Sequence, residues 1–421
     1  MLAKGGRGWL KKKRRKRVLL AWEYGAGRTH YGNLLAVARH LKASGIECLA
    51  TLHDNSAADA EFAAIGVHTL QNFIWPSQRR WRSRWTEIAN NSFTDFLARI
   101  GMNSSASVAA VIAHYDTLFS LFQPDLILCD QAFGAILAGR ERMPVVAMGF
   151  CVRLPPIVNG GFPVYPGRTE PAVPVDELLC SINRGLAQVG RFPLREIADI
   201  LRIAAVMPSG PAEFDFYPEY RHEPLLPPVV PGLRDAYPLR EGNEIFVYLH
   251  GFVQSHAPIM DALVALAAGD TPVRSYIPHI TDQTRKTLFN VAIEDRPVPI
   301  KDIFARSRVV VHHGGEQLTS ACLAVGIPQV IIGKERDNRI NGTYVKNLGL
   351  GEYCWYADAA REWIVDAVHR CLNDDALKAR CRAAAPEYRK WFEVEASEIV
   401  AARICQLLGI EFRKAAAAAA S

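Results

Sequence analysis

The chain has 421 residues, of which 49% are apolar and 22% charged. This is the composition of a globular protein, and the length suits two domains of roughly 100–200 residues. Its apolar runs are strand-length, whereas a bilayer span needs ~20 residues. Nine cysteines without CxxC spacing argue against a disulfide framework or a zinc site. We therefore expect a cytoplasmic protein with reduced thiols and no metal site.

The first 17 residues form a strongly basic tail, with nine Lys and Arg and no acid. Without them the chain has 40 basic against 43 acidic residues, so its net positive charge belongs to the tail. The next apolar stretch breaks at Glu23, too early for a secretory signal. A solvated tail is the simplest interpretation. Peripheral contact with anionic lipid at the inner face of a membrane stays open, and nucleic-acid binding is not expected.

Strands and helices alternate in the first half of the chain. The pattern predicts strands at 17–22, 46–52, 125–130 and 144–150, and helices at 33–45, 132–142, 176–189 and 194–204. Such alternation indicates a parallel sheet covered by helices on both faces. Two proline clusters, within 155–174 and 224–238, predict loops, and the second one predicts an interdomain linker.

The same alternation restarts after the second proline cluster. Strands are predicted at 244–249, 272–277, 308–313 and 328–333, and helices at 257–268, 316–325, 336–347, 361–373 and 387–408. The fold class is therefore α/β, with two doubly wound Rossmann-like domains facing a cleft. The predicted divisions are a tail at 1–17, an N-terminal domain at 18–235, a C-terminal domain at 236–412 and a tail at 413–421. The last helix is a candidate to pack back on the N-terminal domain.

The most informative segment follows a predicted buried strand in the C-terminal half. The strand ends at His312 and His313, Gly314 and Gly315 make a tight turn, and a helix begins near Glu316. Amide groups at a helix N-terminus attract anions and suit a diphosphate.

This segment, residues 309–351, resembles the donor signature of the family-one-like GT-B glycosyltransferases, the superfamily of UDP-glycosyltransferases and antibiotic glycosyltransferases. The matching positions are His312, His313, Gly314, Gly315, Leu323, Gly326, Pro328, Asp337 and Asn341. Residues 298–307 are similar to the loop on which the donor base packs. The resemblance implies that acceptor-binding residues lie in the N-terminal domain and donor-binding residues in the C-terminal domain. The donor-binding candidates are His250, Val298, His313, Gly314, Gly315, Glu316, Gln317, Asp337, Asn338 and Asn341.

Within that set, the resemblance implies that His313 holds the diphosphate and that Asp337 and Asn338 hold sugar hydroxyls. Three features depart from the family pattern. Gln317 and Leu318 replace a small Gly-Thr pair, Ala321 replaces the ribose-binding glutamate, and Glu316 would repel a diphosphate. These departures leave the donor nucleoside open.

The N-terminal half carries a second resemblance to the same family. Residues 24–48 are similar to its first strand–loop–helix unit, which places the catalytic histidine at His30 and puts Asn33 where a proline is usual. The acid that pairs with this histidine would be Asp130, at the end of the strand 125–130. The alternative for Asp130 is to cap the helix at 132–142.

Together these motifs predict an inverting, metal-independent glycosyltransferase with His30 and Asp130 as its catalytic residues. The donor is expected to be a UDP- or dTDP-sugar, used as a substrate, and no cofactor is expected. The acceptor would be a small molecule or a lipid. A catalytically degenerate nucleotide-sugar-binding protein and a nucleotide-sugar epimerase of the same fold remain as alternatives.

Overall fold

The computed structural model describes residues 14–25, 28–55, 58–75, 89–230, 233 and 242–416. Tail residues 1–13, the domain boundary predicted at 235/236 and residues 417–421 lie outside this range. The described residues form two α/β domains, each built on its own parallel sheet.

The N-terminal domain has a six-stranded sheet in the order β3-β2-β1-β4-β5-β6. Its strands are β1 (Arg17–Trp22), β2 (Glu47–Leu52), β3 (His68–Gln71), β4 (Leu126–Asp130), β5 (Val145–Phe150) and β6 (Ala205–Ser209). Its helices are α1 (Arg28–Ala43), α2 (Asp59–Ala63), α3 (Phe93–Leu97), α4 (Ser105–Phe122), α5 (Phe133–Gly139) and α6 (Val175–Gln188). All of β4 is buried, as expected for a strand with helices on both faces.

The C-terminal domain repeats this architecture, with the order β12-β11-β10-β7-β8-β9. Its strands are β7 (Glu244–Tyr248), β8 (Val273–Tyr276), β9 (Ala292–Ile293), β10 (Ser307–His312), β11 (Gln329–Gly333) and β12 (Gly351–Trp355). Its helices are α7 (Ala257–Ala267), α8 (Asp282–Thr287), α9 (Ile300–Arg306), α10 (Glu316–Val325), α11 (Arg336–Asn347), α12 (Arg361–Asn373), α13 (Asp375–Arg389) and α14 (Ala396–Leu408).

In both sheets the strand order reverses beside the first strand of the domain. In the N-terminal sheet this point lies between β1 and β4, whose last residues, Trp22 and Asp130, are register partners. In the C-terminal sheet it lies between β7 and β10, where Tyr248 pairs with His312. Ligands of doubly wound folds bind in the crevice outside the carboxyl ends of the strands at such points. The topology thus places His30, Asp130 and His313 where ligands bind.

The last helix, α14, packs against α1 of the N-terminal domain. Val400, Ala401 and Ile404 are buried with the α1 residues Leu34 and Val37. The two predicted tails are shorter than expected, because their inner ends join the fold. Arg17 is the first residue of β1, and Arg14 and Lys16 each form an ion pair of 3.1 Å with Asp125. At the other end, the amide of Arg413 donates to Ser44 and that of Ala415 donates to His40.

Several predicted helix limits were wrong. Helix α1 begins at Arg28, not at residue 33, because Gly25, at φ +105°, turns the chain early. Residues 194–204 contain only a 3-10 turn, Ile197–Leu201, since β6 follows at once. The helix predicted at 387–408 is divided by a 3-10 turn, Lys390–Phe392.

Helix α4 is apolar and 18 residues long, so by length and composition it is able to cross a membrane. The sequence interpretation overlooked this stretch. In the structure its Val108, Val111, Ile112 and Tyr115 are buried in the N-terminal core. The packing is that of a core helix.

Candidate functional site

His30 and Asp130 form the pair that the sequence predicted. Nδ1 of His30 lies 2.9 Å from Oδ1 of Asp130, and Asn33 donates to the other carboxylate oxygen at 3.1 Å. The Asp130 side chain is only 1% exposed, whereas that of His30 is 13% exposed. A buried carboxylate on Nδ1 favours the tautomer that carries its proton there and leaves Nε2 as the hydrogen-bond acceptor.

The histidine is on a helix, whereas the predicted helix at 33–45 would have left it in the loop before the helix. It occupies the first turn of α1, and its ring stacks on Trp22 with centroids 5.5 Å apart and an interplanar angle of 26°. The backbone at Gly25 passes so close that a Cβ there would overlap Nε2 of His30. The ring therefore has a single orientation, fixed by Trp22, Gly25 and Asp130.

Asp130 does not cap the helix that follows it, so this alternative was wrong. The N-cap of α5 is Ala132, without a side-chain hydrogen bond, and Glu23 takes the capping role instead. Glu23 accepts from the amides of Gly134 at 2.9 Å and Ala135 at 2.7 Å. Asp130 thus remains available to the histidine.

Sequence reasoning missed Glu23, and the signal for it was an acid directly after a buried strand. The side chain is fully buried and also accepts from the indole of Trp75 at 2.9 Å. Burial raises the pKa of Glu23 against the effect of these hydrogen bonds. We interpret this carboxyl group as a structural link between β1 and α5.

The two adjacent histidines of the predicted donor turn have different environments. His312 is fully buried, lies 2.8 Å from Oε1 of Gln329, and accepts at Nδ1 from the amide of Gly314. Burial lowers the pKa of His312 to about 4, so it is neutral and structural at neutral pH.

His313, in contrast to His312, can still form a hydrogen bond to a ligand. Its Nδ1 is buried and has no hydrogen-bond partner among the described residues. Its ring centroid is 3.9 Å from that of His250. Burial, then the neighbouring imidazoles of His250 and His312, lower the pKa of His313 well below the usual value. A neutral imidazole at this turn is a hydrogen-bonding group for an anion.

The glycine turn exposes backbone donors at the start of α10. Gly314 has φ +85°, and its carbonyl accepts from the buried Asn341 at 2.9 Å. The N-cap of α10 is Gly315, which provides no side-chain cap, so the first amides of this helix keep their donor capacity. Asn341 therefore holds the turn itself.

Four residues of α10 depart from the family pattern, and the structure places three of them, Glu316, Leu318 and Ala321, in buried surroundings. Burial raises the pKa of Glu316 to about 8, so this carboxyl group is largely neutral at pH 7. Leu318 and Ala321 are buried in the C-terminal core, at 7% and 0% exposure. Two buried apolar side chains therefore occupy the positions where the family has a hydroxyl and a carboxylate.

The remaining predicted donor residues lie around the start of α11 and before α9. Asn338 is buried, and its Oδ1 accepts from the amide of Glu335 at 3.0 Å in a capping box. Asp337 lies beside it, and burial raises its pKa against the opposing charge of Arg153. Val298 is partly buried against the C-terminal core. Contacts of Asp337, Asn338 and Val298 with a donor remain predictions.

One group of residue types that bind metals occurs among the described ranges, outside the predicted site. It comprises His40, Glu395 and Glu398, where α14 meets α1. His40 is ten residues from His30 on α1, about 15 Å at 1.5 Å per residue. Nδ1 of His40 already accepts from the amide of Ala415, and Glu398 pairs with Lys414.

Comparison with known proteins finds similarity to glycosyltransferases. Residues 262–400 match the family described as the C-terminal domain of erythromycin biosynthesis protein CIII-like proteins. Over 112 residues, the chain is 31% identical to the elloramycin glycosyltransferase ElmGT of Streptomyces olivaceus. That match spans 27% of this chain and 27% of the relative, so the chain matches about a quarter of the length of that protein.

Solved structures match over nearly the whole chain. The glycosyltransferase VinC in complex with dTDP has a TM-score of 0.62 at 18% identity, covering 93% of this chain and 100% of VinC. The calicheamicin glycosyltransferase CalG4 has a TM-score of 0.64 at 18% identity, with 94% and 99% covered. The chain therefore has the GT-B fold that these glycosyltransferases share, and residues 262–400 of its C-terminal domain are similar to the erythromycin CIII-like family. The resemblance that the sequence motifs indicated is confirmed.

Proposed function

We propose that this protein is an inverting glycosyltransferase that moves a sugar from a nucleoside-diphosphate donor to an acceptor hydroxyl without a metal ion. The observation that carries this proposal is the hydrogen-bonded pair of His30 and Asp130, 2.9 Å apart, at the switch point of one domain. The uncapped α10 N-terminus lies at the switch point of the other domain. A base and an anion site on opposite sides of a cleft are the parts that such a transfer needs.

In the proposed reaction, Nε2 of His30 removes the proton of the acceptor hydroxyl while the oxygen attacks the anomeric carbon. Asp130 stabilises the imidazolium that forms, and the carbon–diphosphate bond breaks on the opposite side. One displacement of this kind inverts the anomeric configuration. The leaving diphosphate would be stabilised by the amides of α10 and by the neutral imidazole of His313.

The substrates are proposed by class. A dTDP- or UDP-sugar is favoured as donor, since the similar structure of VinC was solved with dTDP. A small-molecule acceptor is favoured by the similar structure of the spinosyn rhamnosyltransferase SpnG, solved with spinosyn aglycone. A lipid acceptor, a cytoplasmic location and contact of the basic tail with anionic membrane remain predictions.

A second candidate is a nucleotide-sugar-binding protein without transferase activity. It is favoured by Ala321, which removes the carboxylate expected at the ribose, and by Glu316 at the anion site. A thermal-shift screen of UDP-, dTDP- and GDP-sugars tests binding, because a ligand at a hundred times its Kd adds roughly 2.7 kcal/mol of stability. Binding followed by slow release of free nucleoside diphosphate supports the transferase. Binding without release supports the second candidate, and no binding contradicts both.

A further inference from the structure

The cleft contains a second polar group that the proposed transfer does not use. Arg153 ends the 3-10 turn Cys151–Arg153 after β5, and its guanidinium carbon lies 4.3 Å from the centre of the Phe96 ring. On the C-terminal domain, the guanidinium carbon of Arg336 lies 5.9 Å from the centre of the Tyr165 ring. Tyr165 is also a neighbour of Arg153, so one tyrosine is bordered by an arginine from each domain.

The turn that carries Arg153 is fixed by a buried arginine. Arg221 donates to the carbonyl oxygens of Cys151 and Leu154, both at 3.1 Å, and forms a buried ion pair with Asp215. The backbone on both sides of Arg153 is therefore held in place. Such preorganisation reduces the entropy lost when a side chain binds a ligand.

Tyr165 brings a buried hydroxyl to the same place. Its side chain has 1% exposure, and the hydroxyl makes no close hydrogen bond among the described residues. Its partner is the guanidinium of Arg153. Burial raises the pKa of Tyr165, and the charge of Arg153 and its hydrogen bond oppose that shift. The Tyr165 hydroxyl and the Arg153 guanidinium therefore form one group of donors, and a carboxylate that accepts from both would satisfy them more fully.

The charges around the two arginines differ. Burial lowers the pKa of Arg153, but the nearby Tyr165 and Asp337 oppose burial, and the net effect is a raised pKa. For Arg336, burial and the positive charges of Arg168, Arg339 and Arg99 lower the pKa, with Tyr165 opposing them. Arg336 therefore lies in a positive environment, where an added anion relieves repulsion between like charges.

We propose that Arg153, Tyr165 and Arg336 bind a carboxylate on the substrate, carried by the donor sugar or by the acceptor. Guanidinium groups bind carboxylates through two parallel hydrogen bonds, and the buried Phe96 ring fixes the position of the Arg153 guanidinium that stacks on it. The assignment rests on the proposed function, since Asp337, beside Arg153, is the residue assigned to the sugar hydroxyls. It deepens that function by naming an acidic substrate.

Two matched pairs of probes separate the two sources of the carboxylate. UDP-glucuronate against UDP-glucose tests the donor, and 4-hydroxybenzoate against its methyl ester tests the acceptor. Calorimetry measures each Kd for the wild type, Arg153→Met and Arg153→Lys. The control is Arg361→Met, because Arg361 is exposed and pairs with the exposed Glu362. We expect the wild type and the control to bind the acidic member of one pair at least tenfold more tightly than its neutral partner. The Arg153→Met variant should lose this preference. The Arg153→Lys variant should keep part of it.

The affinity for UDP alone reports on the donor turn and should change less than threefold in Arg153→Met. If neither UDP nor dTDP binds the wild type, the proposed function fails, and the benzoate pair alone decides the carboxylate site. Equal affinities within each pair that binds would overturn the site. A preference that persists in Arg153→Met would overturn it as well.

Discussion

Gln317 on α10 reaches across the cleft to Asn33, which lies beside the pair of His30 and Asp130. Its Nε2 lies 3.4 Å from Oδ1 of Asn33 and donates to the carbonyl of Val229 at 2.5 Å, while Thr29 donates to its Oε1 at 2.9 Å. Asn33 in turn donates to Asp130. Gln317 and Asn33 each replace a residue that the family pattern has at that position, and the structure shows that the two replacements meet.

This contact predicts energetic coupling between Gln317 and Asn33. In a double-mutant cycle with Gln317→Ala and Asn33→Ala, we expect a coupling energy of ~0.5–3 kcal/mol in kcat/KM, the range for residues in one hydrogen-bond network. Gln283→Ala, on the exposed side of α8, is the matched control and should show no coupling to Asn33→Ala. Strict additivity of the two cleft substitutions would mean that the contact does not matter in catalysis.

His313→Ala should weaken diphosphate binding. The substitution removes one strong hydrogen bond to a charged group, worth ~1.5–3 kcal/mol, which corresponds to a Kd about 10–150 times higher. Calorimetry with UDP or dTDP measures the change, and the exposed His222→Ala serves as control. An unchanged Kd in His313→Ala would move the diphosphate site away from this turn.

Gly25→Ala should lower kcat by displacing the imidazole of His30. A methyl group at this position, with φ +105°, would overlap Nε2 of His30. Gly45→Ala is a matched control, since Gly45 also has a positive φ but a Cβ there meets no atom within 4 Å. Both variants should lose thermal stability, but only Gly25→Ala should lose turnover. Equal turnover in the two variants would contradict the placement of Nε2 at the reacting face.

Glu316 predicts that donor affinity falls at alkaline pH. Burial raises its pKa to about 8, so below that pH the group is neutral and above it a carboxylate faces the diphosphate. The folded pKa exceeds the ordinary value of 4.5, so the free energy of unfolding should fall as pH rises from about 4.5 to about 8, where the unfolded state has released the proton that the folded state keeps. It should level off above that pH. In the wild type, the Kd for UDP should be higher at pH 9 than at pH 7. In Glu316→Gln, the Kd values at the two pH values should be the same. Equal weakening in both proteins would assign the pH effect to another group.

Local patterns in the sequence predicted much of the fold and of the site. Strand–glycine–helix units predicted the four inner strands of each sheet, because these features depend on residues close in the chain. The family resemblance predicted that His30 and Asp130 lie together. The start of α1 was missed, since it depends on the backbone turn at Gly25. The contact between Gln317 and Asn33 was also missed, because it depends on how the two domains face each other. The edge strands β3, β6, β9 and β12 were missed, because they are less buried than the inner strands and lack their continuous apolar runs.

The most direct test of the account is the anomeric configuration of the sugar released from a donor that the thermal-shift screen selects. NMR during turnover, with water or a simple alcohol as acceptor, identifies the first anomer formed. A single displacement with His30 as the base gives inversion, for example β-glucose from UDP-α-glucose. In His30→Ala the rate should fall by about 10²–10⁴, with donor Kd nearly unchanged. Asp130→Asn should cost less, because the base remains. Retention of configuration, or full turnover in His30→Ala, would rule out single displacement with His30 as the base.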